Sequence, residues 1–334
     1  MNTRILVPAG FLGLLAIGAA RQLDAAGQSP QAVWAEAARE VTALGATQRP
    51  FAPGSFPATW INGVDCETEP DVQVHAYNED TYIIRQSKCT TFEAPFLYLL
   101  FGEDRALLMD TGANPDAPVW EPVDGIVQDW LASRGRSTID LVVAHTHHHF
   151  DHIQGDAQFE GKPFVDQIVA PTAEAFNAFW GFQNYPIDQR TIDLGGRVLD
   201  VIGTPGHHPR SVSLYDRNTH LLLTADLVYP GHLFVFSSFH WPEFVASLRR
   251  LVQFARQNPV EWVVGCHVEM GAAPFSLYPY GTTEHPDEHP LQLRPSILVD
   301  VLRESVKMGD DPQCKEFAEF AIHPVYLCGI GWNE

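Results

Sequence analysis

A chain of 334 residues with 45% hydrophobic residues can bury a core as one large domain or two small ones, which excludes a disordered class. Its 41 Asp and Glu against 21 Lys and Arg give a formal net charge of −20, and no basic run is longer than Arg249-Arg250. A groove that tracks a phosphate backbone needs clustered cations, so nucleic acid is excluded as a partner.

The N-terminus reads as a secretion signal over residues 1–26. Arg4 supplies positive charge, Ile5 to Ala20 is apolar or small, and Gly18-Ala19-Ala20 or Asp24-Ala25-Ala26 offers small residues for cleavage. The run is short for a membrane span and contains Pro8, so no stable membrane insertion is expected once the signal is removed. A retained anchor is the competing reading. The expected location is periplasmic or secreted. Residues 27–60 form an extension with a helix expected at Gln31 to Leu44, where Trp34, Ala37, Ala38 and Val41 share one face. Pro50, Pro53 and Pro57 then keep the chain extended.

From Val72 the signals turn to strands. Val72 to Tyr77 and Thr81 to Gln86 read as a hairpin, and so do Phe96 to Phe101 and Ala106 to Met109. A helix is expected at about Val123 to Ser133, then a buried strand at Ile139 to Ala144. Another strand follows at Val165 to Ala170 and a helix at Pro171 to Trp180. Val198 to Ile202 runs into Gly203-Thr204-Pro205-Gly206-His207. Ser211 to Tyr215 and His220 to Thr224 flank the turn Asp216-Arg217-Asn218. Pro242 to Arg256 reads as an amphipathic helix, Val263-Val264 as a last buried strand, and Pro295 to Met308 as a helix. Interleaved strands and helices, with hairpins in each half, predict two packed sheets with helices outside. The main domain is placed at 61–290 and a C-terminal helical tail at 291–334.

The five cysteines are Cys66, Cys89, Cys266, Cys314 and Cys328. In an oxidising compartment they allow two bridges and one free thiol, with Cys66–Cys89 and Cys314–Cys328 as the local pairings. Five buried thiols are the alternative. Cys266 sits in an apolar run beside His267 and is expected to stay reduced.

The stretch Thr146-His-His-His-Phe-Asp-His152 directly follows a buried strand. Four histidines and an aspartate so close are costly neighbours unless a cation compensates them, and imidazole with carboxylate is the donor set that zinc prefers. Asp110, His207, Asp226 and His267 also follow apolar runs. Strand-end loops of a layered domain meet at one edge and can build one site there.

These motifs resemble the metallo-β-lactamase superfamily. The match runs through Leu107-Leu-Met-Asp110-Thr-Gly112, the 146–152 block, Thr204-Pro-Gly-His207, Thr224-Ala-Asp226 and Gly265-Cys-His267. The resemblance implies an α/β fold, an αββα sandwich, holding two divalent metal ions, zinc first, with iron or manganese as alternatives. It implies that His147, His149 and His207 hold one ion and that Asp151, His152 and His267 hold the other. Asp226 would bridge them, and Asp110 would orient the ligand loop. His148, His208 and His145 fall outside the pattern. The implied activity is attack by a metal-bridging hydroxide, oriented by Asp151, on a carbonyl centre. The substrate is a small molecule: an ester, lactone or thioester with an apolar portion. Tyr229 stands at an offset similar to that of an oxyanion-assisting tyrosine in family lactonases; a packed loop tyrosine is the alternative. Other activities compatible with the resemblance are β-lactam hydrolysis, iron-dependent persulfide oxidation and metal binding without catalysis. Where glyoxalase II-type members carry a glycine pair this chain has Ile153-Gln154-Gly155-Asp156, and its acidic balance speaks against a glutathione thioester.

Two aromatic groups are candidates for the pocket wall: Phe176, Phe179, Trp180, Phe182 and Tyr185, then Phe234, Phe236, Phe239 and Trp241. The segment Tyr278 to His289 is a candidate lid. No sequence pattern sets an oligomeric state.

Overall fold

A computed structural model describes residues 51–328. The expected signal (1–26) and the helix expected at 31–44 lie outside the described residues. The first sheet is built from β1 (Val72–Asn78), β2 (Thr81–Gln86), β3 (Phe96–Phe101), β4 (Arg105–Met109), β5 (Asp140–Ala144) and β6 (Val165–Ile168), in that spatial order. The second is built from β7 (Gln189–Asp193), β8 (Val198–Gly203), β9 (Val212–Asp216), β10 (Leu221–Ala225), β12 (Trp262–Gly265) and β13 (Gln292–Leu293). Its spatial order is β13-β12-β10-β9-β8-β7. A smaller sheet joins β11 (His232–Val235), β15 (Ala321–Pro324) and β14 (Lys315–Glu316).

Three apolar layers make this a sandwich. In β3 every side chain is buried, and alternate residues go to opposite faces. Phe96, Tyr98 and Leu100 face Leu199, Val201, Leu214 and Leu223 of the second sheet. Leu97, Leu99 and Phe101 face outward against helix α1 (Trp120–Ser133), with Val123, Val127 and Trp130. Beyond the site loop, α2 (Phe150–Ile153) and α3 (Ala173–Trp180) follow. The outer face of the second sheet is covered by α4 (Trp241–Ala255) and α5 (Ser296–Met308), and α6 (Val325–Cys328) ends the described chain. In α4 the buried Phe244, Leu248, Leu251 and Val252 recur at helical spacing behind Pro242. The Thr172 hydroxyl caps α3 by accepting the Ala175 N–H at 3.2 Å, and Gly181, at φ 74°, ends it in the left-handed conformation.

The sandwich is as expected, and the expected strands and helices occur in the expected order with ends shifted by a few residues, while β7 and β11 are additions. The helical tail expected at 291–334 is corrected. Besides α5 it contributes β13 to the second sheet and β14 and β15 to the small one. At the other end, Trp60 of the expected extension packs edge-on to Phe96 at 5.0 Å, inside the inter-sheet core. Two disulfides, Cys66–Cys89 and Cys314–Cys328, are formed, and Cys266 is a buried free thiol. Among the described residues no helix is long and apolar enough to cross a membrane.

Candidate metal centre

The C-terminal ends of β4, β5, β8, β10 and β12 share one edge. β4 is parallel to β5 and β10 to β12, while β8 and β10 both run antiparallel to β9. The two sheets are tied together there by backbone bonds from Val212 N to Thr146 O at 3.0 Å and Phe96 N to Cys266 O at 2.7 Å. After β5 the chain turns into α2, which carries Asp151 and His152 inward and leaves Phe150 39% exposed. Gly155 lets this turn pack onto the Asp110 loop; a Cβ there would lie 2.2 Å from Thr111 O. Gly206, at φ 144°, does the same ahead of His207: a Cβ would stand 2.5 Å from Phe244 Cα.

The seven expected ligands converge in two groups. His149 Nδ1 lies 3.0 Å from His147 Nε2 and 2.8 Å from His207 Nε2. In the second group, Asp151 Oδ2 lies 3.1 Å from His152 Nε2 and 3.2 Å from His267 Nε2. Asp226 stands between them. Its Oδ2 is 3.4 Å from His207 and 3.8 Å from His147 on one side, and 3.3 Å from His152 and 3.4 Å from His267 on the other.

The far ring nitrogens are anchored. His207 Nδ1 donates to Phe234 O at 3.1 Å and His267 Nδ1 to Glu93 O at 3.0 Å. His152 Nδ1 donates to Asp110 Oδ2 at 2.9 Å. Asp110 also accepts from Thr146 N at 2.7 Å and Thr146 Oγ1 at 2.9 Å. Such bonds make Nδ1 the anchored donor and aim Nε2 of each of these three rings into the site.

The electrostatics differ between the groups. Burial, reinforced by neighbouring imidazoles, holds His147 well below the usual histidine range. It takes His149 down to about 2, with His207 as its main neighbour. Burial lowers His207 to about 4 even against the pull of Asp226. These rings are neutral donors at pH 7. In the other group burial works against charge but the carboxylates prevail. Asp151 and Asp226 raise His152 well above its ordinary value, and Asp226 does so for His267. Asp226 is held well below the carboxylate range despite its burial, through His267 and His152.

The residues fit a pair of divalent cations. Asp226 Oδ1 is buried and has no hydrogen-bond partner among the described residues. A buried anionic oxygen in that state is costly unless a cation meets it. Three imidazoles on one side, with two imidazoles and a carboxylate on the other, form the nitrogen–oxygen donor set of zinc.

A cavity of about 400 Å³ opens over these groups. It is lined by His149, Asp151, His207, Asp226 and His267, by the aromatic residues Phe150, Tyr229, Phe234, Phe236 and Tyr280, and by Glu93 and Glu269. Burial, with Asp151 and then Glu269 adding repulsion, pushes Glu93 up to about 8.

Several expectations change here. Tyr229 is 1% exposed, and its hydroxyl donates to His232 O and lies 3.1 Å from Glu269 Oε2. Its single proton is spent on these acceptors, so the geometry does not present the oxyanion donor expected of it. Its ring packs against His267 at 5.6 Å instead. Phe176, Trp180 and Phe182 belong to the inter-sheet core, with Phe179 and Tyr185 packed against it, and none lines the cavity. Phe234 and Phe236 do line it, whereas Trp241 is in the outer core and Phe239 is 86% exposed. From the expected lid, Tyr280 reaches the cavity. His285 is buried away from it, stacked on Tyr278 at 4.0 Å and 3.0 Å from Glu288 Oε1. His148 faces Phe176 at 5.7 Å and His208 engages the Arg210 backbone, both outside the two groups. His145 is buried, 3.3 Å from Asp156. Sequence reasoning missed Glu93 and Glu269; the one local signal is the position of Glu269 two residues past the candidate ligand His267.

The family model described as the metallo-beta-lactamase superfamily matches residues 90–267. The chain therefore belongs to the metallo-β-lactamase superfamily, and it is a hydrolase of that superfamily. Among similar proteins is the acyl-coenzyme A thioesterase MBLAC2 of Homo sapiens, 25% identical over 200 residues, covering 51% of this chain and 72% of the relative. The hydroxyacylglutathione hydrolase of Rhizobium meliloti (strain 1021) is 30% identical over 137 residues, covering 38% of this chain and 50% of the relative. Among solved structures, the metallo-beta-lactamase from Pontibacter korlensis aligns with a TM-score of 0.45 at 17% identity, over 70% of this chain and 99% of that one.

Proposed function

We propose that the chain hydrolyses small esters, lactones or thioesters with an apolar portion, using two divalent metal ions, most simply zinc. The observation that carries this reading is the position of Asp226 Oδ2, within 3.8 Å of imidazole nitrogens from both donor groups. His147, His149 and His207 would hold one ion, Asp151, His152 and His267 the second, and Asp226 both. Two such ions supply a water whose pKa falls to about 7 and polarise the acyl carbonyl.

The chain's own residues do the rest. Asp151 lines the cavity next to Phe150 and would orient the attacking water. Asp110, Phe234 O and Glu93 O hold three imidazoles in one tautomer, so no ring has to reorient during turnover. Phe150, Phe234 and Phe236 receive the apolar portion and exclude water around the carbonyl. The names of the relatives, an acyl-coenzyme A thioesterase and hydroxyacylglutathione hydrolases, put thioesters first among the acyl classes to test. The two disulfides support an oxidising compartment, in keeping with a secreted or periplasmic enzyme.

The test is metal analysis combined with a panel of thioester, ester, lactone and β-lactam substrates. About two metal ions per chain, and acyl hydrolysis that a chelator abolishes and zinc restores, are expected. Full activity in a chelator-treated chain, or in Asp226→Ala, would overturn the reading.

A further inference from the structure

Glu269 stands two residues past His267 and belongs to neither donor group. Its Oε2 accepts the backbone N–H of His232 at 2.9 Å and lies 3.1 Å from Tyr229 Oη. The Tyr229 hydroxyl donates to His232 O. Two side chains thus take both backbone polar groups of one residue. The main chain adds to the tie, because Glu269 N and Met270 N donate to Pro230 O at 2.7 and 3.1 Å. Gly231 leaves the room for it: a Cβ there would stand 2.8 Å from Glu269 Oε2 and 2.4 Å from Tyr229 Cε2.

His232 opens β11, whose one sheet neighbour among the described residues is β15. Backbone groups of a strand point to alternate edges, so residues two apart share an edge. Gly231 O accepts Ala321 N at 2.8 Å on the β15 side. His232 and Phe234 therefore turn their N–H and C=O groups to the other edge, where no strand lies. On that edge Glu269 and Tyr229 meet His232, and Phe234 O accepts the Nδ1 proton of His207 at 3.1 Å. The carboxylate and the phenol occupy the place of a missing strand, directly beside the carbonyl that orients a candidate ligand.

Resting on the hydrolase reading above, we propose that Glu269 is a positioning residue: with Tyr229 it holds the unpaired edge of β11 and so fixes the Phe234 carbonyl against His207. The segment that bears His267, in the second donor group, thereby also sets the ring orientation of His207, in the first. Tyr229 acts here through the backbone of His232 and touches no substrate.

The test follows ring protons in the zinc-loaded full chain labelled with 15N-histidine. In Glu269→Ala the Nδ1 proton of His207 should exchange with solvent at least about tenfold faster, while that of His152, which Asp110 holds, keeps its rate. Competition with a chromophoric chelator should show one of two zinc ions bound about tenfold more weakly. Glu269→Gln retains an oxygen for the His232 N–H and should restore both values. Tyr229→Phe keeps the ring beside His267 but removes the hydroxyl, and it should speed the His207 proton selectively; it decides the matter if Glu269→Ala does not fold. Unchanged His207 exchange, unchanged zinc affinity, equal loosening of both rings, or no rescue by Gln overturns the inference. Because the readout needs no turnover, the two readings fail separately. A selective effect on His207 in a chain that cleaves no acyl substrate keeps this inference and overturns the hydrolase reading. Zinc-dependent hydrolysis with His207 exchange unaltered in the variants does the reverse.

Discussion

Asp110 Oδ2 accepts the Nδ1 proton of His152 at 2.9 Å, and both side chains are fully buried. The same carboxylate receives two bonds from Thr146, so it fixes the start of the ligand loop and one ring within it. Asp110→Asn keeps the shape but offers an amide where the ring nitrogen needs an anion. It should weaken metal binding in the His152 group by about 10–100-fold, read by competition with a chromophoric chelator. Unchanged affinity would refute the orienting role.

Asp226 spans both groups, so its loss should show in stoichiometry as well as rate. Asp226→Ala is expected to lower bound metal from about two ions per chain toward one and to reduce hydrolysis at least about a hundredfold. Elemental analysis of the purified variant, with circular dichroism as the folding control, checks both.

Metal loading should release protons. His152 is raised well above the ordinary histidine value by Asp151 and Asp226, and His267 chiefly by Asp226, both overcoming burial, so both rings carry protons at pH 7 in the metal-free chain. A cation needs their lone pairs. Zinc titrations in two buffers of different ionisation enthalpy should give different apparent heats at pH 7. Equal heats would show that the rings were already neutral.

His323 offers a pH test away from the metal groups. Burial, then the neighbouring His232, lowers it to about 4. A histidine depressed below its unfolded value near 6.5 binds its proton more tightly when unfolded. Its contribution is therefore complete above pH 6.5 and is lost as the pH falls toward 4. The stability difference between the parent chain and His323→Gln should shrink across that window, by no more than about 1.4 kcal/mol per pH unit. Denaturant titrations at pH 7, 6 and 5 measure it.

Trp180 is 2% exposed in the inter-sheet core. Trp180→Ala should cost about 3–5 kcal/mol of stability while leaving the order of substrate preference unchanged. A changed preference with full stability would return Trp180 to the pocket wall.

The buried strands were legible because a strand covered on both faces is a continuous apolar run. Phe96 to Phe101 shows this, as does Val198 to Ile202. The candidate ligands were legible because each polar residue follows such a run. The strand β7 (Gln-Arg-Thr-Ile-Asp) was missed. It lies at a sheet edge with three of its five residues exposed, so no apolar pattern marks it. β11 and β15 pair across almost ninety residues of sequence, and nothing local announces a partner so distant. Phe176 and Trp180 misled because aromatic density is the same signal whether the rings face a cavity or a core. Glu93 lies in a loop with no motif, and only the fold brings it to His267.

The pairing of β11 with β15 also bears on the order of events during synthesis. All seven candidate ligands have been made once the ribosome passes His267, but β15 spans Ala321–Pro324. Until that segment emerges, β11 lacks the neighbour that steadies it, and the Phe234 carbonyl that orients His207 belongs to β11. The nascent chain thus holds a full set of donors before it holds their geometry. Maturation of the centre is timed by the last described strand rather than by the last candidate ligand.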